Sequence, residues 1–433
     1  MTKTGIGYKL TWCLLFLVLF HRFLIQEGAP SAIKYLLDVL NVTLFVVAIA
    51  KEKKVDRTVC YILFCSSGML MIGTIAAVAN MGVWENSLAM YIFDCRQILR
   101  FPMFLYSCNV LLETKDIKKL FDWFCAFHVA NTLYIIYQFF TLKVDDFWMR
   151  GDHLNGFFGT ETGGNTFVNV MMVVTTVIAV RQYIERRYGK LKLIFFITLN
   201  SLLAVLIEIK IFFLEAALIA MIYGLPYLRR PKKKTIAIVI GIVVLSVPIA
   251  MAMIQLLYRI YPWMQGTMSF SKMFQVTTSS EGYTGVGDIN RLTCISDVIR
   301  LIYSGNMIKS LPGVGLGAAN ISGGVGTFCS RFEWTHYSWF PLAYIYVELG
   351  LLGTVLYLIS LVLPLRCKGG KIQNKFIVRT MCATCLLMMV YNESLRTEAG
   401  YLIYFMVAVG MILAVEFKDN EQRKAIKYYC ARV

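Results

Sequence analysis

Apolar stretches long enough to cross a bilayer recur along almost the whole of this 433-residue chain, and short basic connectors separate them. Nothing else in the sequence limits the fold as strongly. In lipid every backbone N–H and C=O must find a partner inside the protein, so spanning segments are regular rather than irregular. A helical span needs about 20 apolar residues, and twelve stretches fit: 10–26, 31–50, 58–82, 87–112, 120–142, 164–182, 191–207, 211–228, 235–258, 337–365, 377–395 and 397–417. A mean hydropathy of +0.63 and a charged fraction of 16% fit a chain whose main solvent is lipid. The expected fold is an all-α polytopic membrane protein of about twelve transmembrane helices, one transmembrane domain over 1–433.

The net charge of +17 would suit nucleic acid if the cations formed one patch. They do not: most of the 43 Lys and Arg residues cluster in alternate connectors, at 51–57, 115–119, 181–192, 229–234, 366–379 and 418–432. That alternation is the positive-inside bias. It places both termini in the cytoplasm, makes the bilayer rather than nucleic acid the partner, and puts the longest connector outside. The first apolar run, Leu10 to Phe20, ends at His21-Arg22 without a small-residue cleavage pattern and reads as an uncleaved span. Inner connectors are short and carry no phosphate-binding loop, so any chemistry falls to the outer side or the bundle. At 191–228, Glu208-Ile-Lys210 must be a very tight outer hairpin or a charged pair at membrane depth.

Of the twelve cysteines, most lie within or near apolar runs, where a thiol acts as a small hydrophobe; Cys382 and Cys385 sit mid-span. Cys294 and Cys329 share the long outer connector and could pair if it faces an oxidising compartment, though nothing in the sequence says that they do.

That connector, 262–335, is the one long polar interruption. Within it Asp288 to Tyr303 predicts an interfacial helix with Asp288 as N-cap. At 100° per residue Ile289, Leu292, Ile295, Val298, Ile299, Leu301 and Ile302 share one face, while Asn290, Thr293, Ser296, Asp297 and Arg300 share the other. Arg291 alone breaks the pattern by falling on the apolar face. An arginine there needs an anionic partner, either an outer-side carboxylate or a phosphate-bearing ligand suited to its planar donor fork. Leu311-Pro-Gly-Val-Gly-Leu-Gly-Ala-Ala-Asn320 formally satisfies a GxGxxA pattern, but no strand precedes it; a tight re-entrant turn is the expected structure. The connector ends at His336, at a water–membrane boundary, where a neutral imidazole could accept a proton from a hydroxyl or could simply be solvated. Glu348 lies twelve residues on, roughly 18 Å along a helix, too deep to touch His336 and suited to pairing inside the bundle.

Taken together, Gly156-Phe-Phe-Gly159 in an earlier outer loop, the arginine-bearing segment, Pro312-Gly-Val-Gly-Leu-Gly317 and His336-Tyr…Glu348-Leu-Gly350-Leu-Leu-Gly353 resemble the bacterial O-antigen polymerase and O-antigen ligase superfamily. The resemblance covers the topology of nearly the whole chain, with its specific motifs at 150–165 and 288–355. Two positions depart from the family pattern: Tyr337 stands where an asparagine usually follows the histidine, and Thr160-Glu-Thr-Gly163 where a Pro-Asn pair is common.

What the resemblance implies is an all-helical, type C-like membrane glycosyltransferase of the bacterial inner membrane. Such enzymes transfer an oligosaccharide from an undecaprenyl diphosphate carrier to an acceptor at the outer face, with no required metal or nucleotide cofactor. His336 would then be the catalytic residue, as base or as the group that orients the acceptor, Arg291 a contact to the diphosphate, Arg150 a second basic contact, and Arg331 an alternative to either arginine. The substrates would be lipid-linked donor and acceptor, with a chain-length regulator and a flippase as pathway partners.

Polymerisation of repeat units for O-antigen, capsule or exopolysaccharide is the leading expectation. A ligase that moves finished glycan onto lipid A core is its sister reading. A lipid-linked oligosaccharide flippase or other secondary transporter is the competing class, for which Asp94, Arg96, Arg100, Glu215 and Glu348 would supply intramembrane charges.

Overall fold

A computed structural model describes residues 5–228 apart from 52, 54, 82, 84–86, 144–146 and 162, then 252, 255–256, 258–262, 278–279, 281–320, 327–367 and 375–430. The described chain is helical throughout. Its helices are α1 (Ile6–Gln26), α2 (Ile33–Ile49), α3 (Arg57–Ala79), α4 (Leu88–Leu111), α5 (Thr114–Thr141), α6 (Asn165–Ile184), α7 (Lys190–Leu206), α8 (Ile211–Leu228), α9 (Cys294–Leu301), α10 (Phe328–Phe332), α11 (Pro341–Val362), α12 (Phe376–Tyr391) and α13 (Gly400–Cys430). Eleven of the twelve expected apolar runs therefore hold a helix; the run 235–258 lies almost entirely outside the described residues. Four segments are long and apolar enough to cross a membrane: Ile6–Gln26, Arg57–Ala79, Asn165–Ile184 and Pro341–Arg366. The chain is a helical membrane protein.

The helix signals are local. Asp56 and Ser87 cap α3 and α4, accepting from the Thr58 and Met90 backbone N–H groups. Glu113 and Asp116 form a capping box that starts α5. α6 forms the centre of the bundle: every residue from Thr166 to Gln182 is buried, with α5, α7, α8, α12 and α13 packed around it. A helix apolar on all sides has no preferred solvent face and belongs in such a position. By contrast α2 exposes Val39, Val42, Val46 and Ile49, a stripe that suits lipid rather than water. The Glu208-Ile-Lys210 connector is a tight hairpin: Glu208 has φ 60° and Ile209 N–H donates to the Ala204 carbonyl at 2.9 Å.

The Gly-rich segment makes the expected tight turn, and it enters α11. Val314 and Gly315 N–H donate to the Val347 and Glu348 carbonyls, both at 2.9 Å, while Leu351 N–H turns away to Ser310 at 3.2 Å. To permit this, α11 breaks at Gly350, with φ 61° and ψ −165°. A Cβ on Gly313 would lie 2.4 Å from the Gly350 nitrogen, so only two glycines can meet here. Glu348 accepts from Gly317 N–H at 2.9 Å and is hydrogen-bonded to Asp94, so its partners lie within the bundle. Asp94 in turn accepts from Asn320 and from the Tyr344 hydroxyl, each at 3.3 Å.

The arginines of α4 are matched elsewhere. Arg96 pairs with Asp38 at 2.9 Å, and Arg100 with Glu398 at 3.4 Å.

The predicted interfacial helix is the principal correction. Helix forms only over Cys294–Leu301, with Thr293 rather than Asp288 at its N-cap position. The cause is side-chain competition for the backbone. Asp297 accepts from Asn290 N–H at 3.2 Å and from the Thr293 hydroxyl at 2.6 Å, which holds 290–293 as a turn. Of the predicted apolar face, Ile289 and Val298 are fully buried but Leu292 is exposed. Arg300 is exposed and pairs with Asp297 at 3.0 Å. Cys294 and Cys329 are both buried free thiols.

Candidate functional site

Asp288, displaced from its capping role, is completely buried and faces His336: Nδ1 lies 2.9 Å from Oδ2. The local chain explains the meeting. Residues 281–288 fold back on themselves, Gly287 N–H donating to the Glu281 carbonyl at 2.6 Å, and Ile289 N–H donates to the Thr335 carbonyl at 3.1 Å. The backbone thus ties the two ends of a 48-residue excursion together beside these side chains. Thr284 N–H donates to Oδ1 at 2.9 Å. A Cβ at Gly282 would stand 2.2 Å from that same oxygen, so glycine is required for the turn to lie against the carboxylate. His336 itself is left-handed, φ 54° and ψ 27°, and its ring stacks on Trp339 with centroids 4.0 Å apart.

Arg291 lies one aromatic layer away. Its guanidinium is 4.6 Å from the Tyr283 ring centroid and 4.2 Å from that of Tyr391, and Nη2 donates to the Tyr283 hydroxyl at 2.9 Å. Among the described residues no carboxylate lies within ion-pair distance of it, and Nε is buried without a hydrogen-bond partner. Cation–π contacts stabilise such a group by about 0.5–1 kcal/mol each, up to about 2 when desolvated, but leave its charge uncompensated. Tyr283 also meets Trp339, centroids 5.9 Å apart. Arg291 and His336 are therefore connected through Tyr283 and Trp339.

Lys210, on the α7–α8 hairpin, extends the cationic side. Its pKa is lowered, first by burial, with Glu208 raising it and the charge of Arg291 lowering it further. Burial also pushes the Glu208 carboxyl up to about 7, helped by the negative charge of Asp152 and opposed by Lys210. Glu208 packs against Gly151, next to Arg150. Arg150 donates from Nη2 to the Phe139 carbonyl, and its guanidinium lies 4.6 Å from the Phe139 ring. Arg150, Asp152, Glu208, Lys210 and Arg291 thus form a polar run from the α5–α6 loop to the long connector. The glycine turn beside it is anchored in α5, where Gly156 N–H donates to Gln138 Oε1 and Phe157 N–H to Asn131 Oδ1, both at 2.7 Å.

Arg331 is exposed on the short helix α10, its guanidinium 5.4 Å from the Phe332 ring. Sequence reasoning missed three members of the site: Asp288 as partner of His336, and Tyr283 and Tyr391 as the faces that hold Arg291. Gly282, Gly285 and Gly287 were the available sequence signal for a turn leading into Asp288.

No group of histidine, cysteine and carboxylate side chains among the described residues could hold a metal ion.

What fold and site define together is a helical membrane protein whose long connector carries an acid–histidine pair beside a tyrosine-held arginine. No family model matches the chain, no curated protein matches it, and no solved structure matches it.

Proposed function

We propose that the chain is a membrane glycosyltransferase that polymerises undecaprenyl-diphosphate-linked oligosaccharide repeat units at the outer face of the bacterial inner membrane. The reading rests on one observation above the others: Arg291, with no carboxylate in ion-pair distance among the described residues, is held by Tyr283 and Tyr391 next to the aromatic pair that supports His336. An unmatched guanidinium near a hydrogen-bonded imidazole fits a substrate that brings its own anion and needs one proton removed.

In this mechanism the acceptor hydroxyl gives its proton to His336 and attacks the anomeric carbon of the donor. The bond from that carbon to the diphosphate oxygen breaks, and the electron pair leaves with undecaprenyl diphosphate. Arg291 stabilises the growing negative charge, with Lys210 and Arg150 along the same polar run. The diphosphate is already an activated leaving group, so cations and one proton acceptor suffice. Twelve spans with both termini in the cytoplasm fit the basic connectors and put the site outside.

The test is deletion of the gene in its native host, followed by complementation with wild type or His336→Ala and sizing of lipid-linked and surface glycans. The expected result is variant protein in the membrane with single repeat units in place of long chains. Polymer accumulating on the carrier would assign a ligase, and repeat units held at the cytoplasmic face a flippase. Full-length surface polymer from His336→Ala would remove His336 from the chemistry.

A further inference from the structure

We propose that Asp288 is the positioning residue of His336, fixing the tautomer in which Nδ1 carries the proton and Nε2 is the acid–base atom. The inference rests on the proposed glycosyl transfer only for what Nε2 does; which nitrogen holds the proton follows from the local geometry alone.

An ionised carboxylate only accepts hydrogen bonds. Asp288 Oδ1 takes the Thr284 N–H at 2.9 Å, and Oδ2 faces Nδ1 of His336 at 2.9 Å. With Oδ2 an acceptor, Nδ1 must donate, and a neutral imidazole protonated on Nδ1 has its lone pair on Nε2. A 180° flip of the ring would put Cδ2 where Nδ1 stands and lose this contact, while the stack on Trp339 at 4.0 Å holds the ring plane. Asp288 is fully enclosed while the His336 side chain is 26% exposed, so the reactive edge of the pair belongs to histidine. When Nε2 takes a proton, the carboxylate stabilises the imidazolium that forms.

The alternative, that Asp288 merely ties 281–289 to the start of α11, is separable because Asp288→Asn has a defined consequence. If the asparagine Oδ1 keeps the Thr284 N–H, its NH2 occupies the place of Oδ2 and donates to Nδ1. The lone pair needed for catalysis is then consumed on the wrong side of the ring, and Nε2 carries the proton. The loop tie survives and the base does not.

The experiment uses the full chain labelled with 15N-histidine and reconstituted in liposomes. Of the four histidines, the His336 resonances are those lost in His336→Ala. Solid-state 15N spectra of wild type at pH 8 should show Nδ1 protonated and Nε2 bare, and Asp288→Asn should reverse the two. In the deletion host, Asp288→Asn should cut polymer synthesis per membrane-inserted protein by on the order of 10²-fold or more. Wild type protonated on Nε2 would overturn the proposal. So would wild-type polymer from Asp288→Asn in a host where His336→Ala makes none. If His336→Ala itself polymerises normally, the catalytic reading falls, while the wild-type tautomer and its reversal still assign Asp288 as the group that sets the ring.

Discussion

Replacing Arg291 distinguishes a guanidinium that meets an anion from one that only braces the loop. In Arg291→Ala the positive charge disappears next to the proposed leaving group. Removing one preorganised donor from a developing oxyanion costs about 3–4 kcal/mol, or roughly 10²–10³ in rate. Arg291→Lys keeps the charge but forfeits the planar stack between Tyr283 at 4.6 Å and Tyr391 at 4.2 Å. At about 0.5–1 kcal/mol for each ring that is about 1–2 kcal/mol, roughly a tenfold loss. Tyr283→Phe removes only the 2.9 Å hydrogen bond to Nη2, about 1 kcal/mol or roughly fivefold. The expected order of residual activity is therefore Tyr283→Phe, then Arg291→Lys, then Arg291→Ala. It is read as the initial rate of polymer formation in membranes normalised to inserted protein, with a thermal melt of each purified variant alongside. Arg291→Ala turning over at the wild-type rate per folded molecule, whatever its melting temperature, would refute the contact and leave Arg291 a brace.

Substitutions at three further positions probe the scaffold. Gly350→Ala places a Cβ 2.2 Å from the Leu311 carbonyl oxygen, in a backbone region that only glycine adopts readily. The strain alone is about 1–3 kcal/mol, so a lowered melting temperature is expected, and an unchanged one would contradict the helix break. Glu208→Gln tests pH dependence. The folded carboxyl titrates near 7, above its ordinary value of 4.5, so the unfolded chain ionises first as pH rises. The stability contributed by the protonated carboxyl is full below 4.5 and lost as pH climbs through 7. Glutamine mimics the protonated form, so the variant should match wild type at pH 4.5 and melt higher at pH 8; a constant offset at both would refute the shift. Asp94→Asn retains an acceptor for Asn320 and Tyr344, whereas Asp94→Leu takes away the acceptor that both use. Stranding costs about 1–3 kcal/mol for each buried group, so the leucine variant should accumulate poorly in membranes and the asparagine variant near normally.

The helices were legible because a run of apolar residues near 20 long admits few other structures in lipid. The glycine turn at 313–317 was legible from its spacing, but its place inside α11 was not. Gly350 reads in sequence as one more small residue of an apolar span, and only the meeting with Gly313 explains it. The 288–303 segment failed for a related reason. Periodicity counts which residues are apolar but not which acceptors the backbone will use. Asp297 drew Asn290 and Thr293 into a turn, while Asp288 was taken by a histidine 48 positions away. Tyr391 comes from yet another helix, with no pattern to link it to Arg291.

Most of the intramembrane charges named for a transport reading have fixed partners, and Glu215 is held by Asn169 at 3.2 Å. A coupled pathway needs charges at membrane depth that can change partners. Here Arg96 is matched to Asp38, Arg100 to Glu398, and Asp94 to Glu348 with Asn320 and Tyr344 completing its contacts. Glu348 is further fixed to the backbone of the Gly-rich turn at Gly317, which makes that pair part of the loop's anchorage. Arg291 is different: it is buffered by aromatic faces, beside a lysine whose own charge it disfavours. The charge of Arg291 disfavours that of Lys210, and with no carboxylate in ion-pair distance of Arg291 among the described residues, an anion that meets both offsets the repulsion. Under the proposed function the diphosphate, with negative charge on two linked groups, would supply that anion within one aromatic layer of His336.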